Sequence, residues 1–239
     1  MKHPAGEPPK RRRLLRWLLL RTVLLAASFY AFAALSLVAL RRVNPPTTGV
    51  QIQRRIESWF RRGEYRKRCR YVPLLRISPD LQHAVIAAED GRFFQHHGFD
   101  WEEIRDAVYD ELEEGRVRGA STITQQLVKN LCFTTHRSVV RKAVEFTLVP
   151  LAEWILGKQR ILELYLNVVE WGPGVYGAEA AAQYHYRVSA ARLDPDQAAR
   201  LAAILPNPRR RKPGQMNTYS TIILERMATL PRPPPASSR

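Results

Sequence analysis

The chain has 239 residues and a formal net charge of +16. That length holds one substantial folded domain plus a membrane anchor, and it excludes a second enzyme domain of ordinary size. Basic patches serve nucleic acid, anionic lipid and phosphorylated substrates alike, so the placement of the charge discriminates more than its sum.

Residues 1–42 carry nine Lys/Arg against one acid, Glu7. A second basic cluster runs from Arg54 to Arg76, and a third is Arg209-Arg210-Arg211-Lys212. Beside an apolar segment, lipid phosphates are the favoured partner. No nucleic-acid-binding motif accompanies the clusters, so no nucleic acid is expected as a partner.

In chain order, a basic N-terminus (1–21) precedes Thr22–Leu40, 19 residues without a charge. As a helix this run spans about 28 Å, close to the roughly 30 Å hydrocarbon core, and predicts a transmembrane helix over 22–40. Ala31-Phe32-Ala33 resembles a signal-peptidase site, but the apolar run continues seven residues beyond it, which favours an uncleaved anchor. Lys2, Lys10, Arg11, Arg12, Arg13, Arg16 and Arg21 precede the run, whereas Arg41, Arg42, Arg54 and Arg55 follow closely. The asymmetry predicts a cytoplasmic N-terminus and an extracytoplasmic domain. A linker (41–50) containing Asn44-Pro45-Pro46-Thr47-Thr48-Gly49 leads to a folded domain over 51–228, and a Pro-rich tail (229–239) is expected to be disordered. Cys69 and Cys132 form no CxxC, and their pairing is left open.

The domain reads as mainly α. Pro79 opens a segment with apolar positions at Leu81, Val85, Ala88 and Phe93. Trp101–Leu112 has helical spacing, and Ser138–Val169 reads as helix interrupted near Pro150 and again near Gly157. Asp194-Pro195-Asp196 starts another helix, which ends before Pro206. Period-2 runs are scarce.

Two dense polar blocks carry the chemistry. The first is Glu89-Asp90-Gly91-Arg92-Phe93-Phe94-Gln95-His96-His97-Gly98-Phe99-Asp100, and the second is Gly119-Ala120-Ser121-Thr122-Ile123-Thr124-Gln125-Gln126-Leu127-Val128-Lys129-Asn130. Glu89 follows Ala84–Ala88, where desolvation would raise its pKa towards values useful to a general base; a solvated helix-end acid is the plain alternative. Ser121, Gln125 and Lys129 are four apart and share one face if helical, suiting sugar hydroxyls and phosphate oxygens or simply forming a polar outer face. Arg141 and Glu145 make a second i,i+4 pair beside Lys142, read as either a surface ion pair or a diphosphate clamp. His96 and His97 lack companions at zinc-ligand spacing, so His96 is assigned a local hydrogen bond, with Asp90 and Asp100 bracing the same loop. Together with the anchor, the blocks point to an enzyme acting on a membrane-borne, anionic, sugar-bearing substrate.

Over residues 71–213 the chain resembles the monofunctional biosynthetic peptidoglycan glycosyltransferases. The motifs are Glu89-Asp90-x-x-Phe93-x-x-His96-x-Gly98-x-Asp100, Gly119-x-Ser121-Thr122-Ile123-Thr124-Gln125-Gln126-x-x-Lys129-Asn130, Arg141-Lys142-x-x-Glu145 and Lys158-x-x-Ile161-Leu162-Glu163-x-Tyr165-Leu166-Asn167. They are followed by Glu170-Trp171-Gly172-x-Gly174-Val175-x-Gly177-x-Glu179 and by Leu201–Pro208. The resemblance implies a two-lobed, lysozyme-like helical domain that polymerises lipid II into β-1,4-linked glycan strands. It implies Glu89 as the base, and Lys129 and Arg141 as the cations on the departing lipid diphosphate, with Lys142 close enough to assist. Glu145 becomes the second carboxylate, with Ser121 and Gln125 lining the donor side.

No obligatory cofactor is implied, and a divalent cation (Mg or Mn) at Glu145 is a candidate. The implied location is the bacterial inner membrane, single-pass, with the domain periplasmic. Lipid II and the nascent strand are the implied partners, with penicillin-binding proteins and division machinery as candidates. Tyr184-His185-Tyr186-Arg187 departs from the family's aromatic-Phe-Gly-Lys turn, and Gly91 stands where a larger residue is usual. No Ser-x-x-Lys occurs, so crosslinking is expected from another protein. A lytic muramidase and an inactive scaffold are the competing readings; the Lys129, Arg141 and Glu145 cluster argues against the first, because strand cleavage has no diphosphate to hold.

Overall fold

The computed structural model describes residues 10–60, 65–114, 119–136 and 138–236, apart from the side chains of Lys10, Arg11, Leu112 and Glu114. Four expectations fall partly outside it: the basic N-terminus at 1–9, Arg61 and Arg62 of the second basic cluster, the apolar position at Leu112, and the last three tail residues.

Helix α1 (Lys10–Leu40) begins well before the uncharged run. Its Arg12–Leu40 stretch is long and apolar enough to cross a membrane, with almost none of it buried against the domain. At 1.5 Å per residue the helix is longer than a bilayer core of about 30 Å. Within it Arg21 lies over the Trp17 ring at 3.5 Å, a cation–π contact.

The C-terminal end of α1 is fastened to the domain by the buried guanidinium of Arg160. Its Nε donates to the Leu40 carbonyl (2.7 Å), and its Nη2 donates to Val43 O (3.1 Å) and Asn44 Oδ1 (2.9 Å). Arg160 also pairs with Glu163. A cation on orphan helix-end carbonyls caps the helix and opposes its dipole.

After α2 (Gly49–Trp59) and a two-residue strand β1 (Arg68–Cys69), two helical groups follow. One consists of α3 (Pro79–Glu89), α9 (Pro195–Ile204) and α10 (Asn217–Thr229), mutually packed. The other consists of α5 (Ile123–Cys132), α6 (Val139–Leu156) and α7 (Lys158–Val168). Helix α4 (Trp101–Glu114) lies between α3 and α5 in sequence, and α8 (Ala178–Tyr186) follows the sheet. Local signals set these bounds. Ser78 caps α3 with Pro79 in its first turn, and Asp194 and Gln197 form a capping box on α9. Trp171, Tyr165, Tyr176 and Phe93 are the largest fully buried side chains.

Two expectations are corrected. Helix α6 runs through Pro150 without interruption. Pro150 and Phe146, whose carbonyl loses its i+4 donor, are both on the exposed side, where the lost bond costs least. The break comes only at Gly157, φ +73°. The tail is not free over its described part, since Pro235 O accepts from Gln159 (3.0 Å) and Leu230 packs on the core. Cys69 and Cys132 are both free and exposed.

A small sheet that the sequence pattern did not reveal has the order β1-β3-β2, with β2 at Glu170–Gly172 and β3 at Val175–Tyr176. Segments of two and three residues are too short to show a period. Gly177 (φ +86°) turns the chain from β3 into α8, and a Cβ there would meet Asn167 O at 2.7 Å. Asn167 is itself fixed, because it both accepts from Val72 N and donates to Val72 O at 2.9 Å. Gly177→Ala should therefore cost about 1–3 kcal/mol of stability from strain and clash. Denaturant melts would read the loss, and an unchanged midpoint would contradict it.

Candidate active site

Glu89 is the last residue of α3, half-buried, where the negative end of the helix dipole meets the domain interior. Burial raises its carboxyl above the ordinary range, and neighbouring Asp90 adds to the shift. The Gln126 hydrogen bond and the charges of Lys129 and Arg211 oppose it.

Asp90 joins the two helical groups. Its Oδ2 accepts from the Ile123 amide at the start of α5 (2.9 Å), and its Oδ1 meets His96 Nε2 (2.8 Å). Gly98 N donates to His96 Nδ1 (3.1 Å), so the Nε2 proton is the one directed at Asp90. A carboxylate on the free amides of a helix start is the favourable arrangement, and here it holds α5 against the end of α3.

In α5, Thr122 and Gln125 form a capping box: Gln125 N donates to Thr122 Oγ1, and Thr122 N donates to Gln125 Oε1. The shared helix face anticipated for Ser121, Gln125 and Lys129 is thus only partly realised. Ser121 precedes the cap, and the Gln125 amide oxygen is committed to it. The neighbouring Gln126 reaches Glu89 instead, with Nε2 donating to Glu89 Oε2 at 2.7 Å. The buried Tyr165 hydroxyl donates to Gln126 Oε1 (2.9 Å), which fixes the amide with its NH₂ towards the carboxylate. Gln126 is the residue that spacing missed. The signal was present, since Thr122-x-x-Gln125 is a capping-box pattern that assigns Gln125 to the cap.

Helix α6 presents the other charges. Ser138 caps it, and Glu145 lies buried one turn beyond Arg141. The i,i+4 ion pair expected between Arg141 and Glu145 is replaced by an i,i+3 pair, with Lys142 Nζ 2.8 Å from Glu145 Oε1. Arg141 Nη1 instead donates to Thr134 O (2.8 Å), in a segment that Gln53 of α2 clamps through Thr135. Arg141 Nε and Glu145 Oε2 are buried without a hydrogen-bond partner among the described residues. Both residues lie on α6 and line the same cavity, and a buried orphan donor such as Arg141 Nε is what a bound anion would satisfy. Burial lowers the Lys129 ammonium below the usual lysine range; Glu145 counters this, while Arg141 and Lys142 reinforce it.

Two adjoining cavities unite these groups. One, of about 590 Å³, is lined by Glu89, Ser121, Gln126, Tyr219 and Arg226 among others. The second, of about 540 Å³, is lined by Ser121, Gln125, Gln126, Lys129, Arg141, Lys142 and Glu145 among others. Ser121 and Gln126 belong to both, so one cleft runs from the carboxylate to the cations. The donor set suits a resident divalent cation poorly, because one unpartnered carboxylate oxygen sits among three cations. Asp90, His96 and Asp100 have ligand atoms within 4.8 Å of one another, yet each is already engaged by protein groups.

Comparison with known proteins shows the family of the chain. The family model described as Transglycosylase matches residues 54–228. A biosynthetic peptidoglycan transglycosylase of Xanthomonas oryzae pv. oryzae is 44% identical over 228 residues, covering 92% of this chain and 90% of its own. Proteins of the same description from Pseudomonas fluorescens and Laribacter hongkongensis are 47% and 48% identical. The first covers 80% of each chain, and the second covers 70% of this chain and 73% of its own. The chain belongs to the transglycosylase family, with its mainly helical, lysozyme-like domain.

Proposed function

We propose that the chain is a single-pass peptidoglycan glycosyltransferase of the bacterial inner membrane, polymerising lipid II into β-1,4-linked glycan strands on the periplasmic side. The observation that carries this reading is the single cleft joining Glu89 to Lys129, Arg141 and Lys142 through Ser121 and Gln126. Glu89 takes the proton from the acceptor 4-hydroxyl, which is a poor nucleophile until deprotonated. That oxygen bonds to the anomeric carbon of the growing chain as the bond to the lipid diphosphate breaks, inverting α to β. The leaving diphosphate oxygen keeps the bonding electron pair, and the preorganised charges of Lys129 and Arg141 stabilise it and lower the barrier. Lys142 holds Glu145, and Glu145 in turn holds its charge against Lys129.

Anchor and cleft suit a substrate confined to the bilayer. Val139, Val140 and Trp154 of α6 are exposed beside the unburied α1, and Tyr30 of α1 bonds Thr147 of α6 at 2.6 Å. An apolar surface continuous with a spanning helix is a lipid-facing surface. The test is polymerisation of labelled lipid II by detergent-purified protein. Glycan ladders are expected, and none from folded protein would sink the reading. Penicillin-binding proteins and division machinery are its proposed partners.

A further inference from the structure

Two sequence features have no part in the transfer reaction: the basic run at residues 66–70, and the departure Tyr184-His185-Tyr186-Arg187. The fold brings them together. Among the described residues β1 is an edge strand, paired only with β3. Between β1 and α8 lies a groove of about 350 Å³ lined by Arg68, Cys69, Arg70, Tyr184 and Arg187, with Glu179 at its base.

The charge of this groove is unbalanced. Glu179 is buried and already committed, accepting from Ala190 N at 2.8 Å and from Gln183 at 3.4 Å. Arg70 approaches it only to 3.9 Å. Arg68 lies over the Tyr184 ring at 4.9 Å. Arg187 has no acidic partner among the described residues, and Arg66 and Lys67 extend the basic run, both exposed.

The backbone gives an independent sign. Arg187 (φ 62°, ψ 24°) is the one non-glycine residue with positive φ among the described residues. An L side chain is disfavoured there and glycine is favoured. Arg187 is the left-handed residue that ends α8, its N–H donating to Gln183 O at 3.3 Å, and that turn sets its side chain on the groove.

We propose that the β1–α8 groove docks an acidic, extended peptide segment of a partner protein. Three guanidinium groups spread along a strand and a helix end match carboxylates spaced along a chain rather than one compact anion. An edge strand also offers backbone groups to an extended peptide. The largest aliphatic side chain lining the groove is that of Ala180, so it has none of the long apolar groups that insert into a bilayer. The proposal is independent of the transfer reaction.

The test uses the full-length protein in detergent and a fluorescein-labelled peptide of about twelve residues alternating glutamate with serine, read by anisotropy. Saturable binding that weakens with salt is expected. Arg187→Gly, which removes the charge while suiting the backbone, should bind at least about tenfold more weakly, and Arg68→Gln should also weaken binding. In a Cys132→Ser background the peptide should slow alkylation of Cys69. Lipid II polymerisation by Arg187→Gly should stay at the wild-type rate, which separates this site from the catalytic cleft. Equal affinity of Arg187→Gly and wild type would overturn the proposal. So would protection of Cys69 by phosphatidylglycerol vesicles but not by the peptide, which would assign the groove to the bilayer.

Discussion

Glu89→Gln should reduce polymerisation on the order of a thousandfold or more, the scale of losing a positioned general base, without unfolding the protein. The amide keeps the shape of the carboxyl and still offers an oxygen to Gln126 Nε2, so the α3–α5 contact survives. What it cannot do is take a proton from a sugar hydroxyl. The same substitution should leave the melting midpoint at neutral pH unchanged or higher. Burial raises the Glu89 carboxyl in the folded state, so folding favours its protonated form. The stability linked to it is fully present below the unfolded glutamate pKa of about 4.3 and is lost as pH rises through the raised folded value. At neutral pH the ionised carboxylate is a net cost that glutamine lacks. Wild-type activity should follow the opposite limb, rising with pH through that value, above the range of an ordinary glutamate. Near-normal turnover by Glu89→Gln would remove Glu89 as the base, and a lowered midpoint would show its carboxylate to be structural.

Much of this was legible in the sequence, for reasons that differ from element to element. The α9 start was readable because Asp194, Pro195 and Gln197 are each local signals that need no tertiary information. The cleft residues were readable as residue types in order, since a hydroxyl, amides and cations cluster in blocks. Their pairing was not. Glu145 takes Lys142 rather than Arg141 because Arg141 is drawn to Thr134 O, a contact set by how α2 holds the segment before α6. Gln126 was hidden because two adjacent glutamines differ only in helix phase, and phase is fixed by the Thr122 cap and by Tyr165, 39 residues away. Pro150 misled because a proline breaks a helix only where the lost bond is costly. The sheet escaped because β1 meets β3 across more than 100 residues, and β2 and β3, though neighbours in sequence, are only three and two residues long.

Lys129→Ala and Arg141→Ala should each lower kcat/KM on the order of a hundredfold to a thousandfold, as removal of a single oxyanion donor does. Their double variant should lose less than the product of the two, since both act on one departing charge. Two features of the site lead to this expectation. Arg141 Nε is a buried donor without a partner among the described residues, a cost that a diphosphate oxygen would offset. The Lys129 ammonium is held below its ordinary range by burial, with Arg141 and Lys142 adding to the effect. Crowding cations in this way disfavours the free site and favours the transition state, where negative charge is building on the diphosphate. Because the lowered pKa lets Lys129 lose its proton earlier than an ordinary lysine, polymerisation should decline as pH rises through that value. Lys129→Arg keeps the charge at all accessible pH and should move the alkaline decline upward, whatever it costs in geometry. An alkaline limb unmoved by Lys129→Arg would assign that proton elsewhere. Unchanged kinetics in both alanine variants would place the diphosphate outside this cleft and leave the three cations around Glu145 as a structural network.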